Sequence, residues 1–329
     1  MVDLAGPLLL SILLGSLYTL MALGLTMTYA ITRVPNFAHA EYVTVGGYVA
    51  AVLALGLSGL LAASGLAGVA VIVLASVLAF AAAAAVAVGG DELVFKPLTR
   101  RGATSLHLLV ASIGVGLVIR YILSIIVASY DLLVVRSPID KEILVTVGGA
   151  PFTNLHAWVL PTTFGVVIGL HVLFTRTRLG KAMRAMASNF DLARIAGIRT
   201  VRVRRWTWLL AGGLAGLGGA FWVINVPVVP ETGWVILLFL FAASILGGFT
   251  SFWGTVAGGF IVGFAEIMGM SLLNQLFGVS LSYRPMIALA IIVLVFLLRP
   301  QGITGLTMPD FRALARRLHA RLRPAGRGT

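Results

Sequence analysis

The sequence contains no cysteine, and only 11% of its 329 residues are charged. The absence of thiols excludes thiol catalysis, thiolate metal sites and disulfide bonds. The scarcity of charge excludes a soluble globular protein, in which about 25% of the residues are charged. The chain instead contains 59% hydrophobic residues and has a mean hydropathy of +1.03. This composition is typical of a protein that crosses a membrane several times.

Sequence motifs of common catalytic sites are also missing. The Gly180-Lys181 pair does not belong to a phosphate-binding loop, because Ala182 follows it and no glycine stands five residues before Gly180. His39 and Glu41 are two positions apart, so they do not form the zinc-binding pattern His-Glu-x-x-His. No Gly-x-Ser-x-Gly nucleophile motif occurs. We therefore expect no enzymatic activity, no ATP hydrolysis, no metal site and no cofactor in this chain.

The basic residues are strongly clustered. Of the 24 lysines and arginines, 19 fall in three hydrophilic stretches, Lys96 to Arg101, Arg176 to Arg205 and Arg299 to Arg327. Loops of a membrane protein with such an excess of positive charge face the cytoplasm. The net charge of +13 therefore indicates membrane topology and not nucleic-acid binding. We expect the N-terminus and the loop 130–156 outside the cell, and the C-terminus in the cytoplasm.

Apolar runs are close in length to the about 20 residues that a membrane-spanning helix requires. There are nine of them, at residues 7–31, 38–57, 66–89, 105–129, 157–175, 206–226, 233–250, 253–276 and 283–298. The expected fold is an all-α, polytopic transmembrane bundle of eight or nine spans, some of them interrupted. We expect one membrane domain over residues 1–305 and a basic cytoplasmic tail over residues 306–329.

Two segments are polar and rich in glycine where lipid would require an intact helix. They run from Pro35 to Gly47 and from Ile245 to Gly259. Irregular backbone at membrane depth is tolerated where it is buried in protein or lines an aqueous cavity. A pair of such segments in the two halves of a chain is typical of a translocation site. The alternative is that both are turns between spans. The candidate pathway residues are Asn36, His39, Glu41, Gly46, Gly47, Gly247, Gly248 and Glu266.

Few ionisable residues fall within the apolar runs, and those that do are functional candidates. Glu41 and Glu266 are candidates for the pathway, with capping or hydrogen bonding of a broken helix as the alternative role. We expect the Glu41 carboxylate to bind backbone N–H groups or water. Arg33, Arg120 and Arg284 lie near the ends of spans, where anchoring at the membrane surface is the expected role.

The basic stretch 176–205 contains the pattern of an amphipathic helix. Apolar residues recur at i, i+3, i+4 and i+7, namely Met183, Met186, Ala187 and Phe190. The pattern predicts a helix of about four turns over residues 181–195, stopped near Gly197. Flexible methionines favour an adaptable contact with another protein. The alternative is a basic helix that lies on anionic lipid.

Several stretches of the chain together resemble the permeases of branched-chain amino acid ABC importers. They are Gly15 to Leu25, Asn36 to Glu41, Thr177 to Ile198, Leu246 to Gly259 and Arg299 to Gly305. They cover nearly the whole chain in the order of the family, and the Asn-Phe-Ala-His sequence after the first span is similar to the shorter of its two permeases. One departure is Ala40, where the family commonly has glycine, and the added Cβ restricts the local turn.

The resemblance implies a plasma-membrane importer of a bacterium or archaeon. Its parts would be this chain, a second related permease, two cytoplasmic ATPase subunits and an extracytoplasmic solute-binding protein. The helix 181–195 would dock on an ATPase through Lys181, Met183, Arg184, Met186, Ala187, Asn189, Phe190, Arg194 and Gly197. The implied solute is a branched-chain amino acid, although relatives also carry urea, short amides and other small polar solutes.

The residues themselves leave two other classes of transport protein open. One is a secondary transporter that is coupled to protons through Glu41 or Glu266. The other is a channel. A large basic loop with an adaptable helix favours the ATP-driven importer, because a carrier that works alone has no use for a docking element.

Overall fold

The computed structural model describes residues 5–57, 59, 65–299 and 301–303. Its α-helices are α1 (Ala5–Thr32), α2 (His39–Gly56), α3 (Gly65–Gly90), α4 (Lys96–Arg100), α5 (Ser105–Ala128), α6 (Asn154–Arg176), α7 (Arg178–Ser188), α8 (Phe190–Ile195), α9 (Thr200–Asn225), α10 (Thr232–Gly247), α11 (Phe252–Phe264), α12 (Met270–Phe277) and α13 (Arg284–Leu298). π-helical turns at Asp91–Phe95 and Ala265–Gly269 continue α3 and α11, and a 3-10 turn at Leu281–Tyr283 precedes α13. The expected tail 306–329 lies outside the described residues.

The long helices coincide with the apolar runs of the sequence. Seven helical segments of the described chain are long and apolar enough to cross a membrane. The shorter helices α2 and α10, of 18 and 16 residues, match the two remaining runs. The prediction of a helical, polytopic membrane protein is therefore confirmed.

Helices α1 and α9 form the buried centre of the bundle. Helices α2 and α3 pack against α9, while α10 and α11 pack on or beside α1. Much of the surface of α5, α6 and α13 is apolar and exposed. Lipid provides little hydrophobic drive for helix association, so close backbone contact through small residues holds such bundles together. Gly216 of α9 makes such a contact with Gly46 of α2, and Gly259 of α11 makes one with Thr19 of α1.

The close contact at Gly46 yields a testable prediction for stability. A Cβ at Gly46 would lie 2.3 Å from the Gly216 Cα, whereas a Cβ at Gly114 of α5 would meet no atom within 4 Å. We expect Gly46→Ala to destabilise the protein by about 1–3 kcal/mol through overpacking. Gly114→Ala should leave stability unchanged or raise it by up to about 1 kcal/mol, because alanine favours helices. Thermal unfolding of the two purified variants checks this, and equal melting temperatures would contradict the packing.

The two ends of the bundle differ in charge and structure. The basic end, defined by Arg33, residues 91–101 and residues 176–205, carries most of the described cations. The opposite end carries a β-hairpin of β1 (Ile143–Val147) and β2 (Ala150–Thr153). From the sequence, only an external loop was expected there.

The hairpin follows from local sequence signals. Gly148 and Gly149 have φ angles of 60° and 86°, as a two-residue turn between antiparallel strands requires. The preceding segment is tied to the bundle, because Val135 pairs with Val228, and Lys141 Nζ donates to the carbonyl and the side-chain oxygen of Asn225 at 2.9 and 3.0 Å. Partial burial lowers the pKa of Lys141.

Candidate translocation and coupling sites

The chain between α1 and α2 descends into the bundle without helical structure. It starts at Arg33, whose φ of 55° is left-handed. The Phe37 N–H donates to Ser112 Oγ of α5 at 3.1 Å, and His39 Nε2 lies 2.9 Å from the Met21 carbonyl of α1. Because Met21 is near the middle of α1, helix α2 begins deep in the bundle and not at its basic end.

Side chains accept hydrogen bonds from the backbone N–H groups of this segment that have no helical partner. Asn36 is buried, and its Oδ1 accepts from the Ala38 N–H at 3.1 Å. Such satisfaction is what irregular backbone at membrane depth requires. The chain is thus interrupted at Asn36, but Gly46 and Gly47 lie inside the continuous helix α2. The expectation that these glycines interrupt the helix is wrong, because they serve close packing against α9.

The second glycine-rich segment is a turn at the basic end. Helix α10 ends at Gly247, Gly248 has a left-handed φ of 84°, and α11 begins at Phe252 after the Ser251 cap. Gly302 packs on the turn, since a Cβ there would lie 2.5 Å from the Gly248 nitrogen. For Gly247 and Gly248 the structure therefore favours a turn between two spans.

Glu41, in the first turn of α2, forms a buried ion pair with Arg120 of α5. Arg120 donates from Nε to Glu41 Oε1 at 3.1 Å and also from a terminal nitrogen to the same oxygen. The two side chains are only 3% and 12% exposed. Thr44 Oγ1 is 3.5 Å from the other carboxylate oxygen and accepts from the Gly233 N–H of α10. The carboxylate thus links α2 and α5, and the Thr44 hydroxyl connects this pair to α10.

This pair changes two expectations. Arg120 was expected to anchor a span end at the membrane surface, but its charge turns inward to Glu41, and the Trp234 ring lies 5.1 Å from its guanidinium carbon. The recorded hydrogen bonds to the Glu41 carboxylate come from side chains and not from backbone N–H groups. Exposed Trp234 on α10 therefore marks the outer edge of a polar cluster within an apolar surface.

Glu266 has different partners from Glu41. It lies in the π-helical turn after α11 and is 3% exposed. Its Oε2 accepts from the Tyr18 hydroxyl of α1 at 2.7 Å, and the Tyr18 ring stacks on Phe239 at 5.2 Å. The two candidate carboxylates therefore do not share one hydrogen-bonded cluster: Glu41 joins α2 to α5, and Glu266 joins α11 to α1.

The amphipathic segment 181–195 is two helices and not one. Asn189 separates α7 from α8 with extended backbone angles of −151° and 108°, and its Oδ1 caps α8 by accepting from the Leu192 N–H at 2.9 Å. Thr177 caps α7 in the same way through the Gly180 N–H at 3.0 Å. The left-handed φ of 81° at Gly197 confirms the predicted stop.

The two short helices turn different apolar residues inward and outward. Met183 and Met186 of α7 are 4% and 2% exposed and pack with side chains of α1, α6 and α9. The Arg33 side chain donates to the Ala187 carbonyl and holds the end of α7. On α8, Leu192 and Ile195 are 63% and 83% exposed. The methionines are therefore part of the core, and the free apolar surface is on α8.

The remaining predicted coupling residues are placed as follows. Lys181, Arg184, Asn189, Phe190, Arg194 and Gly197 are exposed, and Ala187 is half-buried. Exposure at the basic end leaves these residues accessible to a partner protein, whereas Met183 and Met186 would require the bundle to open first.

Asp91 is a structural residue that the sequence analysis missed. It is 1% exposed in the π-helical turn after α3, and Arg204 of α9 binds both its oxygens, with the closest contact at 2.6 Å. Its neighbour Glu92 pairs with Arg205 and Lys96. The sequence signal for these ion pairs was that two adjacent acids, Asp91 and Glu92, could pair with two adjacent arginines, Arg204 and Arg205. These pairs link the start of α9 to the turn after α3.

Comparisons with known proteins agree with this architecture. Residues 8–296 match the profile of a family described as the permease component of branched-chain amino acid transport systems. A probable branched-chain amino acid transport permease protein LivH of Methanocaldococcus jannaschii is 34% identical over 314 residues, which cover 94% of each chain. The high-affinity branched-chain amino acid transport system permease protein LivH of Salmonella typhimurium is 30% identical over 307 residues, covering 89% of this chain and 92% of the relative. No solved structure matches. The chain therefore belongs to the family of branched-chain amino acid transport system permease components.

Proposed function

We propose that this chain is a permease subunit of an ATP-driven importer of branched-chain amino acids. Its partners are a second related permease, two cytoplasmic ATPase subunits and an extracytoplasmic solute-binding protein. ATP hydrolysis takes place in the ATPase subunits, and this chain transmits the resulting movement to the membrane bundle. Membership of the family and the bare surface of α8 support this proposal.

The observation that carries the proposal is the construction of the α7–α8 unit. Buried Met183 and Met186 and the Arg33 contact hold α7 firmly to the bundle. Beside it, α8 presents Leu192 and Ile195 to the surroundings at the basic end. Because α7 is held firmly to the bundle and α8 has an exposed apolar surface, a protein docked on α8 can transmit its movement to the bundle. Without a partner protein, the apolar surface of α8 would remain exposed to water.

The translocation pathway of this proposal passes beside the descent at Asn36 and the pair of Glu41 with Arg120. Its polar groups lie where α2 begins, next to the exposed Trp234. The second permease would cover this face and complete the pathway. The ion pair also gives Glu41 a structural role, because its carboxylate links α2 to Arg120 of α5.

The proposal places the basic end in the cytoplasm, which single cysteines can test. The chain contains no cysteine of its own, so each introduced thiol is the only target. We expect Ser137→Cys, beside the hairpin, to react with an impermeant maleimide on intact cells. Ser188→Cys, at the end of α7, should react only after permeabilisation. The reverse labelling pattern would contradict this orientation.

The subunit composition provides the direct test of the proposed function. The tagged chain, purified in mild detergent from cells that express the neighbouring genes, should bring down two ATPase subunits and a second permease. Native mass spectrometry measures that stoichiometry. A chain that is purified alone or as a homodimer, with no ATPase bound under conditions that preserve transport, would contradict the proposal.

A further inference from the structure

A cavity of about 580 Å³ opens at the end of the bundle opposite the basic end. It lies between the first half of α1, the end of α9, the start of α10 and the start of α13. Most of its wall is apolar, including Leu10, Leu14, Trp222, Val235, Ile236 and Phe239. In the proposed orientation this cavity faces the outside of the cell, from which an imported solute arrives.

A buried carboxylate lies in the wall of this cavity. Glu266 is 3% exposed and lines the cavity together with Tyr18, which donates to its Oε2 at 2.7 Å. Glu266 belongs to the π-helical turn Ala265–Gly269. Such turns are rare and occur frequently at functional sites. Here the turn places a carboxyl group on a mostly apolar wall.

A guanidinium group lies in the same cavity. Arg284 lines it from the start of α13, and its Nε is buried without a hydrogen-bond partner. Among the described residues, ion pairs within 4.0 Å involve the carboxylates of Glu41, Asp91 and Glu92. None of these pairs joins Arg284 to Glu266. The two opposite charges therefore face one cavity without direct contact, and a buried donor without a partner is unfavourable. A ligand that carries both charges would satisfy both groups.

We propose that this cavity is the outer binding site for an α-amino acid with an aliphatic side chain. The ligand's ammonium group binds Glu266, its carboxylate binds Arg284, and its side chain lies against the apolar wall. Urea and short amides carry no charge to match either residue, so the cavity selects a zwitterion. This site rests on the proposed function as an importer of branched-chain amino acids, and it adds where the chain first holds the solute and which two residues recognise it.

The test is protection of a single cysteine by the ligand. Ser282 is exposed and lines the cavity, so a thiol in Ser282→Cys reports its occupancy. The full complex is kept without ATP in right-side-out membrane vesicles and labelled with an impermeant maleimide. We expect leucine to slow the labelling. The analogues 4-methylpentanoate, which lacks the ammonium group, and 3-methylbutylamine, which lacks the carboxylate, should protect much less at the same concentration.

Variants of the two charged residues separate recognition from folding. Adding Glu266→Gln or Arg284→Gln to Ser282→Cys should raise the leucine concentration for half protection by about tenfold or more, because a charged hydrogen bond is lost. Arg284→Lys keeps the charge and should retain part of the protection. Arg136→Gln, an exposed loop arginine outside the cavity lining, is the matched control and should change nothing. The labelling rate without leucine shows whether each variant keeps its fold.

The outcomes separate this site from the proposed function. Unprotected labelling at saturating leucine, or equal protection in the parent and both glutamine variants, would overturn the site. Equal protection by leucine and both analogues would also overturn it, because it would show that the site does not recognise the ammonium and carboxylate groups of the ligand. The assay uses no ATP, so ATP-driven uptake by a complex without protection rejects only this site. Absence of ATP-driven uptake in the wild-type complex rejects the importer itself.

Discussion

Arg120→Gln should destabilise the protein by about 3–5 kcal/mol, because it leaves the buried Glu41 carboxylate without its countercharge. The double variant Glu41→Gln/Arg120→Gln removes both charges and should recover most of that loss. Thermal unfolding of the purified variants measures the effect. Arg101→Gln, at an exposed arginine of the basic end, is the control and should melt like the parent.

The outcome that would contradict this ion pair is an Arg120→Gln protein as stable as the parent. The same would hold for a double variant that is less stable than either single variant. Glu41→Gln alone also has a clear expectation, since it strands the Arg120 guanidinium beside Trp234. From the sequence, with Glu41 bound to backbone N–H groups or water, this change would be tolerated. The buried ion pair shows why Glu41→Gln should instead destabilise the protein.

Leu192→Asp should abolish ATP-driven uptake while the chain stays folded. The side chain is 63% exposed on α8, so a charge there is harmless to the isolated chain. In the docked complex the new carboxylate would be buried against the ATPase without a partner. Truncating a central apolar contact costs about 2 kcal/mol or more in binding, about 30-fold in affinity. Copurification of the ATPase and solute-stimulated ATP hydrolysis measure the loss.

Two further variants make the Leu192 result specific. Leu144→Asp places the same charge at an exposed leucine of the β-hairpin and should leave the ATPase bound. Met186→Asp changes a residue that is 2% exposed and should unfold the α7–α8 unit, so its loss of activity would come with loss of stability. If Leu192→Asp binds and stimulates the ATPase like the parent, the docking surface is not on α8.

The spans were predictable from the sequence because membrane helices follow apolar run length closely. Lipid leaves each span to satisfy its own backbone hydrogen bonds, so length and hydropathy decide where helices form. The interruption near Asn36 was also predictable, from a polar Pro-Asn segment inside an apolar region. The β-hairpin was missed although Gly148-Gly149, directly after the β-branched residues Val145, Thr146 and Val147, is a turn signal.

The site was less predictable because its partners are distant in the chain. Glu41 and Arg120 are 79 positions apart, and Arg204 and Asp91 are 113 apart. Periodicity locates the apolar stripe of a helix but does not say which neighbour covers it. The sequence therefore predicted that Met183 and Met186 form a docking surface. In the fold they are buried against α1, α6 and α9. The helix break at Asn189, caused by its own capping side chain, then shifts the exposed apolar surface to α8.

The most direct test of the proposed importer is leucine uptake into proteoliposomes. The vesicles contain this chain with the second permease and the ATPase subunits, ATP is enclosed on the side of the basic end, and the solute-binding protein is added outside. We expect uptake that requires ATP, stops when the ATPase subunits are omitted, and is unaffected when a proton gradient is imposed or collapsed. Uptake by this chain without the ATPase subunits, driven by a proton gradient, would contradict it.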